Sequence, residues 1–343
     1  MQGPWYRTVK RWCQTNLTEM DARDCELSVW RRFWADNRIG GVVVNAGGIV
    51  AYYPSEDRLQ YRSPYLGERD LFGEFVSAAR EAGLAVVARM DSNRAQQAMY
   101  DAHPGWFAVD GEAKPYRAGE RYVACVNGPY YRRYIPQRLR EIAGRYAPDG
   151  FTDNSWQGLS ASEICYCDEC RRKFRRDCGR ELPEAADWRD ETYRAWVRWS
   201  TGCRMDNWKL FNRVTRAFGK DCLWLGMVNA DPVSAHGALY DLRELGRRSP
   251  ILMVDQQNRD AVNGFEQNLC NGLLLHGVCG PNAVLPESMA RYARGRYTFR
   301  RSAMPAREQR LWMLAGMAGG LSPWLHIVGA AQEDRRLLQP DGD

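Results

Sequence analysis

The 343-residue chain is poor in histidine and lacks the short motifs that mark common cofactor chemistry. Its four histidines, His103, His236, His276 and His326, form no H-x-H or H-E-x-x-H pair, which argues against a histidine-built catalytic metal. It contains neither a P-loop nor a G-x-S-x-G. A dinucleotide site would want G-x-G-x-x-G behind the first glycine-ended strand, and NAGGIVAYY (45–53) does not supply it. Repeats and low-complexity tracts are absent too. The opening MQGPWYRTVKRW has no apolar core of a secretory signal. The one long uncharged stretch, 311–331, is interrupted by Gly319-Gly320 and Pro323, so a helix, a turn and a buried strand are expected there, not a membrane span. Eleven cysteines, an odd number, suit reduced or metal-bound thiols in a cytoplasmic setting. The net charge of +6 is too mild to call for nucleic acid or a membrane surface. With 45% apolar and 26% charged residues, a folded globular chain is expected.

Short apolar runs alternate with segments of helical period. Strands are predicted at 7–17, 41–48, 85–91, 150–154, 222–229, 250–255, 283–287 and 321–328. Helices are predicted from about Asp24, over 70–83 and 130–146, after residue 187, and near 237–247, 264–276 and 305–318. Residues 92–129 read as irregular, with a hairpin at WFAVDGEAKPY (106–116). Continuous apolar strands alternating with helices mean a parallel sheet covered on its outside, and eight such units predict a (β/α)8 barrel. The whole chain, 1–343, reads as this single domain, with 155–187 a cysteine-rich insertion after the fourth strand. No convincing eighth helix follows Val328. A C-terminal continuation or a second copy in a homo-oligomer is therefore expected to cover the flank between the eighth and first strands.

In such a barrel the loops after the strands form the active site. Polar residues predicted at strand ends are Asn16, Asn45, Asp91, Asp153-Asn154, Asn229 with Asp231, Asp255, Glu287 and His326. Carboxylates with amides and aromatics are what glycosidic cleavage needs: one acid protonates the leaving oxygen, the other attacks or activates water. An acid behind an apolar strand can equally be the N-cap of the next helix. Asp153 is the better catalytic candidate because no helix start follows it at once. Trp196, Trp199 and Trp208 have the spacing of a packed helix face, whereas Trp156 is the candidate sugar platform. The basic run Arg171–Arg176 reads as a solvated helix face.

Cys165, Cys167 and Cys170 form a C-x-C-x2-C loop. Three such thiolates can grip one face of a tetrahedral ion, and the fourth ligand could be Cys125 or Cys178.

The segments NAGGIVAYYP (45–54), ACVNGPYYRRY (124–134), DGFTDNSW (149–156), ICYCDECRRKF (164–174) and RLWMLAGMAGGLSPWLHIVGAAQEDRR (310–336) resemble a family of barrel proteins described as hypothetical glycosyl hydrolases. The cysteine pattern is also similar to that of the zinc-containing β-galactosidases. There an upstream cysteine joins the C-x-C-x2-C loop, which implies structural zinc held by Cys125, Cys165, Cys167 and Cys170. The resemblance further implies a carboxylate at the end of the fourth strand and another at the seventh. Here these are Asp153, in place of an Asn-Glu pair, and Glu287. In α-fucosidase-like barrels the fourth-strand Asp is the nucleophile, which leaves Glu287, Asp255 or Glu333 as the acid. The expected activity is a glycoside hydrolase with Asp153 and Glu287 facing each other over a shared hollow. Asn45, Asp91, Asn154, Trp156, Asp255 and His326 would line the carbohydrate site. The rival expectation is a non-catalytic glycan-binding or assembly barrel.

Overall fold

A computed structural model describes residues 3–255, 266–286, 292–294, 297–299 and 305–328. Seven parallel strands make one curled sheet: β1 Trp12–Asn16, β2 Gly41–Gly48, β3 Ala85–Asp91, β4 Gly150–Asp153, β5 Leu223–Val228, β6 Met253–Val254 and β7 Trp324–Val328. Their order is β7-β1-β2-β3-β4-β5-β6, so the last strand returns beside the first, with Cys13 opposite both Leu325 and Val42. Between β6 and β7 lies the segment 283–286. It is held on one side by Leu252 N–H to Val284 O (3.1 Å) and on the other by Ser322 N–H to Leu285 O (3.3 Å). The sheet is therefore carried round towards closure, and the fold is of (β/α)8-barrel type.

The strands form where the sequence is apolar on both alternating faces. All eight residues of β2 (GVVVNAGG) are buried, as a strand covered by barrel interior and outer helices requires. The outer layer comprises α1 (Leu27–Asp36), α2 (Leu71–Glu81), α3 (Ile135–Tyr146), α4 (Asp168–Cys178), α5 (Glu191–Arg216), α6 (Leu242–Arg248), α7 (Glu266–Cys279) and α8 (Ala306–Ala318). α2 shows the local logic. The Asp70 carboxylate caps its first turn by accepting from Gly73 N–H (3.0 Å), Leu71, Phe75, Ala78 and Ala79 are buried, and Gly83 lies just past its end with φ +70°.

Several expected boundaries shift. The first strand begins only at Trp12, because residues 5–8 form a helical turn whose Trp5 indole packs edge-on against Trp12. Residues 92–129 are not simply irregular. The expected hairpin is present, with Tyr116 N–H to Ala108 O at 2.9 Å, beside a small antiparallel sheet of Arg94–Ala95, Arg121–Val123 and Arg117–Ala118. The insertion after β4 contains α4. Of the predicted strand 283–287, the described residues 283–286 reach the sheet through bridges at Val284 and Pro286.

Aromatic packing fixes the wall between β4, β5 and α5. Trp156 lies flat against Tyr240 (centroids 5.0 Å) and edge-on to Trp208 and Trp224 (5.5 and 5.6 Å). A Cβ on Gly226 would sit 2.1 Å from the Trp156 indole nitrogen, so this strand position admits only glycine. Gly226→Ala is expected to destabilise the fold by about 2 kcal/mol or more, read as a lower denaturation midpoint. An unchanged midpoint would show that the indole does not rest on this backbone.

Candidate active site and thiol cluster

Residues at matched register on parallel strands point to the same side of the sheet. Asn45, Arg89 and Thr152 are matched across β2, β3 and β4. The Arg89 Nη1 reaches across to the Asn16 Oδ1 (2.8 Å), so this layer faces the barrel interior. Arg89 is 4% exposed and lies 3.4 Å from the carboxylate of Asp91, which keeps 24% of its side chain open to solvent. One register lower, Gln14 Nε2 and His326 Nε2 are 3.3 Å apart. Arg89 and Gln14 are absent from the sequence-derived site. Their signal is a polar side chain inside an otherwise apolar strand, as in AVVARMD.

Asp153 ends β4 and is 0% exposed. Its Oδ1 accepts from Ser92 N–H (3.2 Å) and Ser155 N–H (3.1 Å), and its Oδ2 accepts from the Ser92 hydroxyl. Burial pushes its pKa from the ordinary 3.8 to about 7. The Ser92 and Ser155 donors pull it down and the nearby Asp91 charge adds to the rise. The group thus titrates near neutrality instead of in the ordinary carboxylate range. On the same two loops and on β4, Asn93 Oδ1, Ser155 Oγ and Thr152 Oγ1 are buried without a hydrogen-bond partner among the described residues. The Tyr240 hydroxyl feels both Asp153 and Asp255, and burial with these charges raises its pKa.

The structure thus gathers Asn16, Arg89 and Asp91 on the interior side at the ends of β1 and β3, whereas Asp153, matched with Met90 and Gly226, falls on the opposite side of the sheet, near Tyr130, Tyr131 and Tyr240. It also corrects parts of the expected site. The open hollow at Asp153 is not there: the carboxyl is closed off by the loops after β3 and β4. Trp156 is not a sugar platform but a core side chain, 0% exposed, its indole N–H given to Met227 O (3.0 Å). Asn45 is buried, and its side-chain oxygen accepts from Leu17 N–H (3.0 Å) and the Thr15 hydroxyl (3.2 Å), bracing β1 against β2. His326 is buried within β7 beside Gln14, while Asp255 is half-buried just past β6. Glu287 and Glu333 lie outside the described residues. Arg172, Arg175 and Arg176 are exposed on α4 and paired with Glu169, Glu181 and Asp177, the solvated face expected of that run.

The thiols of Cys125, Cys165, Cys167 and Cys170 all lie within 4.8 Å of one another, which selects Cys125 over Cys178 as the fourth member. Cys125 Sγ is 3.4 Å from Cys170 Sγ and 3.5 Å from Cys167 Sγ. Thiolates about 2.3 Å from one tetrahedral ion stand about 3.8 Å apart, so this donor set fits a structural metal. Hydrogen bonding from Cys125 pulls the Cys167 thiol well below its ordinary value, so the cluster favours a thiolate.

A barrel with a polar, carboxylate-bearing C-terminal rim defines the class, and comparison with known proteins agrees. Residues 31–155 match the family model described as Hypothetical glycosyl hydrolase 6. The β-galactosidase BgaA of Planococcus sp. (strain 'SOS Orange') is 31% identical over 87 residues, 22% of this chain and 12% of that protein. Among solved structures, the β-galactosidase of Halorubrum lacusprofundi superposes with TM-score 0.68 at 13% identity, covering 95% of this chain and 56% of that one. The α-L-fucosidase isoenzyme 2 of Paenibacillus thiaminolyticus gives 0.54 at 14% identity, covering 91% and 49%. The chain spans about half the length of these solved structures and about an eighth of the curated relative. At such identities the structural likeness establishes the barrel, as the sequence resemblance implied.

A folded carboxyl that binds its proton more tightly than an unfolded one stabilises the fold fully below the ordinary pKa of 3.8, and the gain is lost as pH rises through about 7. Asp153→Asn keeps an acceptor for both amides and does not titrate. The stability of the parent relative to this variant is expected to fall by a few kcal/mol in order of magnitude between about pH 5 and 8. Parallel denaturation curves over that range measure it. A constant difference would show that Asp153 is ionised throughout.

Proposed function

We propose that this barrel is the catalytic domain of a cytoplasmic glycoside hydrolase, with Asp153 and Glu287 as its carboxylate pair. The observation that carries the reading is the fully buried carboxyl of Asp153 at the end of β4, whose pKa burial raises to about 7. The Hypothetical glycosyl hydrolase 6 match over 31–155 and the β-galactosidase-like fold support it. In this reading Asp153 is the general acid. A glycosidic oxygen takes the place of the Ser92 hydroxyl at Oδ2, receives the proton and leaves, while Glu287 attacks the sugar or activates water. Asn16 and Arg89, with the half-open carboxylate of Asp91, bind sugar hydroxyls at the mouth. Burial keeps water from the acid and maintains the raised pKa against the lowering effect of the Ser92 and Ser155 donors.

The enclosure of Asp153 favours a second reading, a glycan-binding barrel without turnover. A panel of aryl glycosides separates the two. Turnover by the parent protein is expected, and Asp153→Asn should lower kcat by about 10²–10⁴-fold. The loss should be larger for poor leaving groups than for nitrophenols, which need little protonation. Glycan binding with no turnover on any substrate supports the second reading, and full activity in Asp153→Asn removes that residue from the chemistry.

In the same reading Cys125, Cys165, Cys167 and Cys170 hold zinc as a structural ion. The metal would fasten the loop after β4 to the turn at residue 125 and take no part in the reaction. Chelation is expected to lower the melting temperature by several degrees while the Asp153 pH dependence persists. Protein purified without chelator should contain one zinc per chain by elemental analysis, and its absence would end this assignment.

A further inference from the structure

The surroundings of the thiol cluster carry a charge argument that the ligands alone do not. Four thiolates on a divalent ion leave a charge of about −2. Cys125 and Cys170 are buried, so that charge is largely removed from water, which is costly without a compensating cation. Two cations stand beside it. Lys173, one turn after Cys170 on α4, donates to Asn127 Oδ1 (2.9 Å), and Asn127 in turn donates through Nδ2 to Cys170 Sγ (3.3 Å). The same ammonium reaches Cys203 Sγ on α5 (3.3 Å). Arg204, 2% exposed, lines one small cavity together with Cys125, Cys165 and Cys170.

Among the described residues neither cation touches a carboxylate directly. Arg204 spends its donors on neutral oxygens: Gln157 O (2.8 Å), Leu159 O (2.6 Å), and Ser200 O and Oγ (3.0 and 2.7 Å). Among the described residues neither Arg204 nor Lys173 forms an ion pair with a carboxylate. The acids around the site are engaged elsewhere: Asp177, one turn further along α4 and within reach of the Lys173 charge, pairs with Arg176 (2.8 Å) and accepts from the Trp199 indole (3.0 Å). Glu163, on the same cavity, accepts from Ser160 N–H (3.1 Å) and its hydroxyl (2.7 Å), and Glu169 pairs with Arg172 (2.7 Å). A guanidinium buried among carbonyls is expensive to fold unless an anion lies near, and the cluster lines the same cavity as Arg204.

Resting on the metal reading above, we infer that Lys173 and Arg204 are the counter-charges of a dianionic tetrathiolate centre. Metal occupancy and the two cations are then thermodynamically linked: each makes the other cheaper to bury. Asn127 serves as a positioning residue, polarised by Lys173 and fixing the Cys170 sulfur through its amide. Two cations beside the cluster match the charge of about −2 that four thiolates leave on a divalent ion.

Cobalt(II) titration of the full chain tests this, with the thiolate-to-cobalt charge-transfer absorption as signal and zinc competition giving the affinity. Lys173→Met removes the charge and the hydrogen bond. Lys173→Gln keeps a donor for Asn127 without the charge, and Lys173→Arg keeps the charge. Both neutral variants are expected to lose about tenfold or more in affinity with the four-sulfur spectrum retained, and Lys173→Arg to recover most of it. Equal affinity in the parent, Lys173→Met and Lys173→Gln overturns the inference, as does recovery by Gln, which would make Lys173 a hydrogen-bond donor only. A parent protein with no charge-transfer band overturns the metal reading itself, an outcome distinct from unchanged affinities.

Discussion

A carboxyl group with no water around it joins two loops of this barrel. Asp153 closes β4 and takes both its amide bonds from the chain that follows β3 and β4, at Ser92 and Ser155. The arrangement is stable in water only if the carboxyl is either protonated or heavily hydrogen-bonded, and the rim supplies both conditions in part. Three donors hold the oxygens in place, while burial and Asp91 keep the proton on. The burial that makes the group a structural joint also raises its pKa. The geometry of the rim between β3 and β4 depends on that one side chain.

Much of the barrel was legible because its signal is local. Runs such as GVVVNAGG and AVVARMD can be buried on both faces only as interior parallel strands, and both occupy the predicted residues. The ends of the chain were harder. The strand at 283–287 shrinks to two bridges, since Pro286 lacks an N–H for one side of the ladder. The first strand starts late because WYRT prefers a helical turn that packs its indole on Trp12.

The site was read less well, for a different reason. Which polar residues end strands is a local property, but which of them remain open is decided by distant chain. Trp156 looks available from DGFTDNSW alone, yet Gly226 and Tyr240, seventy and more residues later, provide the slot that takes its ring. Arg89 escaped notice because attention to strand ends passes over strand middles. The thiol cluster is the opposite case. Its spacing reduced the choices to Cys125 or Cys178, the resemblance favoured Cys125, and proximity in space agrees.

The loop after β4 leaves the barrel through a succession of anchors, each of a different chemistry. Asp153 is tied by Ser92, Trp156 by Met227 O, and Gln157 and Leu159 by the Arg204 guanidinium. Cys165, Cys167 and Cys170 then meet Cys125. Arg204 stands between the last two, touching the loop backbone with its donors and the cluster with its charge. Loss of the cluster's negative charge would therefore leave Arg204 buried without compensation and weaken its hold on residues 157–159 before anything moved at Asp153. Trp156 is the break in that transmission, because its ring is enclosed by Trp208, Trp224 and Tyr240 whatever the thiols hold. The thiol end of the loop and the carboxyl end are thus anchored independently, with the aromatic wall between them.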